Sequence, residues 1–182
     1  MPQTSYPVKM VAARIGQLSD SASLVDTKSY TNGMTASTTG TDVLFFGTLA
    51  ALETDGTIKR LDAQADVVAG VVMLSDAYEV GVEVGPGNDT AGSPGVMAKA
   101  TVSLLQRGRI WVMVDETVAA GDAVRYYAKA VSGKRQGAFR TTDPTGTDTV
   151  LITAGARWVT GGTTTTGAEL EIDVLNLAFT AD

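Results

Sequence analysis

The stretch Thr101–Ala123, TVSLLQRGRIWVMVDETVAAGDA, constrains the fold more than any other part of this 182-residue chain. Val102, Leu104 and Leu105 form an apolar run that stops at the polar pair Arg107-Gly108, and Arg109–Val114 begins a second run. In the second run Ile110, Val112 and Val114 alternate onto one face, while Trp111 and Met113 take the other. A period of two in β-branched and aromatic residues marks a strand, here one covered on both sides. The spacing predicts a hairpin over residues 96–114 that turns at Arg107-Gly108. A further strand from Ala123 follows the turn residues Ala119–Asp122. This is a β-meander, not an active-site motif.

From residue 43 onward the same texture continues. Strands are predicted at Val43–Phe46, at Thr57–Leu61 after the hairpin-type turn Asp55-Gly56, and at Val67–Leu74, interrupted by Gly70. Others follow at Tyr78–Val84, Val124–Ala130, Gly137–Arg140 and Val150–Trp158. Glu169–Leu177 has the cleanest alternation, with Leu170, Ile172 and Val174 inward and Glu171 and Asp173 outward. The only helical signal is a turn or two around Val118–Gly121. Turn residues every 8–12 positions give roughly eight to eleven strands. The fold class is therefore all-β: an antiparallel β-barrel or sandwich, jelly-roll-like, with an extended N-terminal arm.

That arm is residues 1–42, crowded with Ser, Thr, Asn and Gly. Its apolar residues cannot bury a face of their own, so it is either disordered or extended along other protein surface, a neighbour's or that of its own barrel, where it orders. Val8–Ile15 has enough alternation for one edge strand, and Thr31–Thr41 reads as a mobile loop. The expected division is an arm and loop over 1–42 and a β domain over 43–182.

Composition narrows the chemistry. The chain has no cysteine and no histidine, which removes disulfides, thiolate zinc sites, Cys nucleophiles, Ser-His-Asp triads and His-ligated metals. A net charge of −6 with 14 Lys+Arg argues against binding duplex nucleic acid, which needs a basic face. No run approaches the ~20 apolar residues of a membrane span, so a soluble protein is expected. Gly85-Pro86-Gly87 and Gly161-Gly162 lack the helix a phosphate cradle needs. Asp143–Asp148 is oxygen-rich like a calcium loop, but the twelfth position, 154, is Ala where an EF-hand needs Glu. Asp115 and Glu116, adjacent on a strand, would point to opposite faces and cannot converge as a glycosidase pair. Trp111 and Trp158 lie inside apolar strands, where packing explains them better than ligand stacking. No catalytic, cofactor or metal site is expected, and the chain reads as a non-enzyme.

The run Val102–Val112 followed by Val118-Ala-Ala-Gly-Asp-Ala-Val124-Arg-Tyr resembles the core signature of the structural cement (head decoration) proteins of tailed bacteriophages. Gly16–Asp20, Phe45-Phe46-Gly47, Ala69–Val72, Gly137–Arg140, Ala156–Val159 and Gly167–Ile172 stand in the order of that family. The resemblance implies a structural virion protein, made in the host cytoplasm. It would sit on the outer surface of the capsid, bind the major capsid protein lattice and stabilise the expanded shell. A carbohydrate- or receptor-binding β module of a virion or tail is the alternative; it needs Trp111 or Trp158 exposed in a groove. A protein that holds a lattice gains avidity by bridging several subunits at a symmetry axis, so a homotrimer is expected, with a two-fold dimer as the other option. The candidate capsid or subunit interface comprises Tyr6, Val8, Met10, Val11, Ile15, Leu18, Trp111 and Met113.

Overall fold

The structure, a computed structural model, describes residues 14–19, 24–35, 43–63, 66–74, 95–129, 131, 134–143 and 148–181. These residues form thirteen strands and one 3-10 turn. The strands are β1 (Asp26–Thr31), β2 (Leu44–Phe45), β3 (Leu49–Leu52), β4 (Ile58–Arg60), β5 (Val67–Val72), β6 (Gly95–Val96) and β7 (Thr101–Val112). They continue as β8 (Val124–Tyr127), β9 (Phe139–Arg140), β10 (Thr149–Ala154), β11 (Ala156–Trp158), β12 (Ala168–Asp173) and β13 (Ala178–Ala181). Every pairing between these strands is antiparallel. The all-β expectation holds; the strand number exceeds it because β2, β6 and β9 are only two residues long.

A seven-stranded sheet runs β11-β12-β7-β5-β3-β4, with β1 also paired to β7; a four-stranded sheet runs β13-β10-β8-β9, and β2 pairs β6. The two larger sheets face each other. Leu49, Val71, Leu105, Ile110, Val112, Leu170 and Ile172 of the first meet Val124, Tyr126, Phe139, Val150 and Ile152 of the second in one cluster. Residues one step along the same strands (Ala50, Val72, Leu104) point the other way and form a second cluster under Leu44 and Val96. The larger sheet is thus covered on both faces. That is why β5, Val-Val-Ala-Gly-Val-Val, reads as a nearly continuous apolar run rather than a clean alternation.

β7 is the organising element, and here the hairpin expectation is corrected. The chain does not turn at Arg107-Gly108; one twelve-residue strand passes straight through. Gly108 adopts φ +140, and a Cβ there would sit 3.1 Å from the Leu24 carbonyl oxygen. Glycine at this position serves close backbone approach and a shift in pairing, not a reversal. β1 pairs with the Thr101–Arg107 half of β7, with an irregularity between Asp26 and Thr27, and β12 pairs with the Arg107–Val112 half. Because of that irregularity, Leu105 and Ile110 reach the same cluster although they differ in strand parity. On the opposite edge β5 takes Leu104 and Leu105. Beyond it, Gly16–Ser19 continues along the edge through Gly16 N–H to Trp111 O, Trp111 N–H to Gln17 O and Ser19 N–H to Arg109 O.

Three further readings change. Asp26–Thr31, assigned to the arm without a strand, is β1. Val118–Gly121 is not helical; Val118 instead bridges Gly162. The strand at Glu169–Leu177 ends at Asp173, and Val174–Asn176 forms the 3-10 turn before β13. The inward set keeps its sense, since Val174 still packs against the first cluster. The Asp55-Gly56 turn closes the β3–β4 hairpin as expected, with Asp55 Oδ1 accepting from Thr57 N–H at 2.9 Å. Gly70 brings the backbones together: a Cβ there would lie 2.7 Å from Leu105 O. The strand expected at Tyr78–Val84 lies outside the described residues.

Candidate interaction surfaces

The expected interface residues separate into three groups. Tyr6, Val8, Met10 and Val11 lie outside the described residues. Ile15 and Leu18 sit on the segment that continues the β7 edge; Leu18 bridges Ile110 and packs against the first cluster, and Ile15, partly buried, packs against a third cluster that includes Phe45 and Met113. Met113 is buried with Val43, Phe45, Tyr127 and Ala138, and its sulfur accepts from Arg135 Nη1 at 3.0 Å. Trp111 is half-buried on the face away from Ile110 and Val112. Trp158 is 3% exposed, stacks edge-on to Phe139 and donates its Nε1–H to Ala123 O at 3.2 Å. That indole has no face left for a sugar.

Asp115 and Glu116 do not diverge. They stand in a bend after β7, where strand alternation no longer applies, and both reach Arg140, a side chain only 6% exposed. Glu116 Oε2 lies 3.1 Å from Arg140 Nη2 and accepts from the Thr142 hydroxyl at 2.7 Å. Its Oε1 accepts the main-chain N–H of Thr141 and of Thr142, each at 2.7 Å. Burial pushes the Glu116 carboxyl up, but the Thr142 and Thr141 bonds and the Arg140 charge outweigh it and hold it below the usual range. Tyr127 donates to Asp115 Oδ2 at 3.0 Å and accepts from Arg140 Nη1. Burial, with the Asp115 charge, pushes its phenol up to about 12. These bonds tie the bend after β7 to β8 and β9, and the cluster acts as a clamp between them.

The Asp143–Asp148 loop is also accounted for at its ends. Asp143 lies 3.7 Å from Arg125, and Asp148 2.8 Å from Lys129. Among the described residues no group of three or more His, Cys, Asp or Glu could hold a metal.

The outer face of the sheet at β7, β12 and β11 carries a charged lattice that no sequence motif announced. The register sets Arg157 beside Glu171 and Glu171 beside Arg109, with Asp173 beside Arg107. Glu171 Oε2 is 2.8 Å from Arg109 Nε and 3.0 Å from Arg157 Nη2; Arg107 Nε is 3.2 Å from Asp173 Oδ2. The Arg157 and Arg109 bonds hold the Glu171 carboxyl below its usual range, Arg157 foremost. Beside the lattice opens a recess of 410 Å³, lined by Leu24, Gly155 and Ala156 together with the charged residues.

The family model described as structural cement protein (E217 gp24/Pam3 gp6) matches residues 1–173. The chain belongs to the structural cement protein family. It is a structural component of the phage capsid, in contact with capsid protein, and not an enzyme. A chain in the structure described as "The capsid of Myoviridae Phage XM1" shares the fold of this cement protein. Its TM-score is 0.63 at 15% identity, over 94% of this chain and 96% of that one. No curated protein matches.

Proposed function

We propose that this cement protein binds the outer surface of the major capsid protein lattice and stabilises the expanded shell, acting as a homotrimer. Family membership gives the capsid role. The observation that carries the finer reading is the anchoring of Gly16–Ser19 on β7. Three main-chain bonds, with Ile15 and Leu18 packed against the core, hold the end from which the arm would depart. Tyr6, Val8, Met10 and Val11 precede that anchor within the 1–42 arm. Held at one end and rich in apolar side chains, such a segment can lie in a neighbour's groove or along its sheet edge. Trp111, half-buried beside the anchor, extends the same contact. Three arms on one symmetric body multiply weak contacts into avidity.

The test is binding to expanded shells that lack the protein, for the full chain and for a chain without residues 1–13. This deletion spares Gly16–Ser19, so the β domain keeps its edge. The expected result is a folded, truncated protein that no longer sediments with shells, while the full chain does. Equal sedimentation of both would refute the arm's role, and a monomer by light scattering at all concentrations would refute the trimer.

A further inference from the structure

The sequence contains a single Asn-Gly pair, Asn32-Gly33, directly after β1. Asparagine is chemically labile, most of all before glycine: with no Cβ in the way, the glycine nitrogen swings freely onto the asparagine amide. In the folded chain that approach is closed. Asn32 has no exposed surface. Its Nδ2 donates to Val96 O at 3.0 Å, and its Oδ1 accepts from Met34 N–H at 3.1 Å. The attacking nitrogen is committed as well, since Gly33 N–H donates to Ile58 O at 2.8 Å. Asn32 N–H to Ala100 O, at 2.9 Å, and Lys99 N–H to Asn32 O, at 2.8 Å, fix the main chain on the other side.

Packing dictates both residues. A Cβ on Gly33 would lie 2.7 Å from Thr57 Cβ, and Thr57 is held in place because its hydroxyl and its N–H both donate to Asp55 Oδ1. An aspartate at position 32 would put a buried charge where Val96 O needs a donor. An isoaspartate would add a backbone carbon and throw Gly33 N–H out of step with Ile58 O. We propose that Asn32 is a deamidation site that folding closes and release of the end of β1 opens, and that its conversion bars β1 from docking again. In the opened chain the deprotonated Gly33 nitrogen bonds to Asn32 Cγ, the Cγ–Nδ2 bond breaks, and Nδ2 leaves as ammonia with the proton. Water then opens the resulting succinimide at either carbonyl, giving aspartate or isoaspartate. The conversion needs only water, and its rate follows the population of the opened state. A reversible opening thereby becomes permanent.

The test holds the full chain in warm, mildly alkaline buffer, with and without urea above the unfolding midpoint. Trypsin then releases Ser29–Lys59, in which Asn32 carries the only side-chain amide, for mass spectrometry and isoaspartate detection. The expected result is conversion about tenfold or more slower in the folded chain than in the unfolded one. Equal rates would overturn the closed site. Two variants address the bar to docking: N32D carries the acid from synthesis, and N32S is a neutral replacement that also loses the amide. N32D should have the lower thermal midpoint of the two and should be cut sooner by trypsin at Lys28, within β1. An N32D chain that matches or exceeds N32S on either measure would overturn that half of the proposal.

Discussion

Glu116 Oε2 and Arg140 Nη2 stand 3.1 Å apart, and that pair joins the bend after β7 to the end of β9. Because both groups are largely buried and the carboxylate accepts three further bonds, the contribution of the pair to stability depends on pH. The Glu116 pKa is lower in the folded chain than its ordinary 4.5. The folded state therefore favours the carboxylate, and its contribution is complete above about 4.5 and lost as pH falls through the depressed folded value. Glu116→Gln should lower stability by about 2–3 kcal/mol near neutrality. Denaturant unfolding at several pH values should show a smaller acid-side decline in the variant. Parallel pH profiles would count against the clamp.

Tyr127 makes the opposite prediction on the alkaline side. Its phenol is raised from 10.0 to about 12, so its stabilising contribution is intact below 10 and declines as pH rises through 12. Burial also raises the Tyr126 phenol to about 12, so difference absorbance should show late phenolate formation that is reduced, not abolished, in a folded Tyr127→Phe variant. Titration of Tyr127 at its ordinary value would contradict the buried arrangement.

Core substitutions should divide by burial. Ile172 is 1% exposed inside the main cluster, and Ile172→Ala should cost about 2–5 kcal/mol. Leu175, three residues on, is 76% exposed on the 3-10 turn, and Leu175→Ala should stay within about 0.5 kcal/mol. Thermal unfolding of the two variants measures the contrast directly; similar midpoints would contradict the placement of β12.

Gly70 combines φ +155 with an approach of 2.7 Å between its absent Cβ and Leu105 O. Gly70→Ala must move backbone against backbone, and a loss of about 1–3 kcal/mol or more is expected. A variant as stable as the parent would show that β5 and β7 are not so closely apposed.

What the sequence made legible depended on side chains. Ile110, Val112, Leu170 and Ile172 announced their strands because alternation and burial coincide there. β1 left no such trace: Asp26–Thr31 is polar and mostly exposed, and it joins the sheet through its backbone, which every residue carries alike. β3, Leu-Ala-Ala-Leu, escaped because alanine has little strand preference although three of its four residues are buried. Arg107-Gly108 has the look of a turn but lies inside a strand, because a polar residue followed by glycine signals a turn only when nothing pairs on either side. Here β12 and Ser19 hold the strand extended. The Arg140 cluster and the Arg107–Arg109–Arg157 lattice were invisible for a different reason. Their charged partners lie far apart along the chain, as Arg140 and Glu116 do at 24 positions and Arg109 and Glu171 at 62, and meet only in the folded sheet.

The β7 strand has a mechanical consequence. Gly16–Ser19, β1, β5 and β12 all lie antiparallel along it, so a tug applied to the chain's N-terminal end along the strand axis strains many hydrogen bonds at once. Bonds loaded in shear must rupture together, whereas bonds pulled open from one end fail singly. A structural component of a capsid is better served by the first geometry, and β7 supplies the spar against which a load can act.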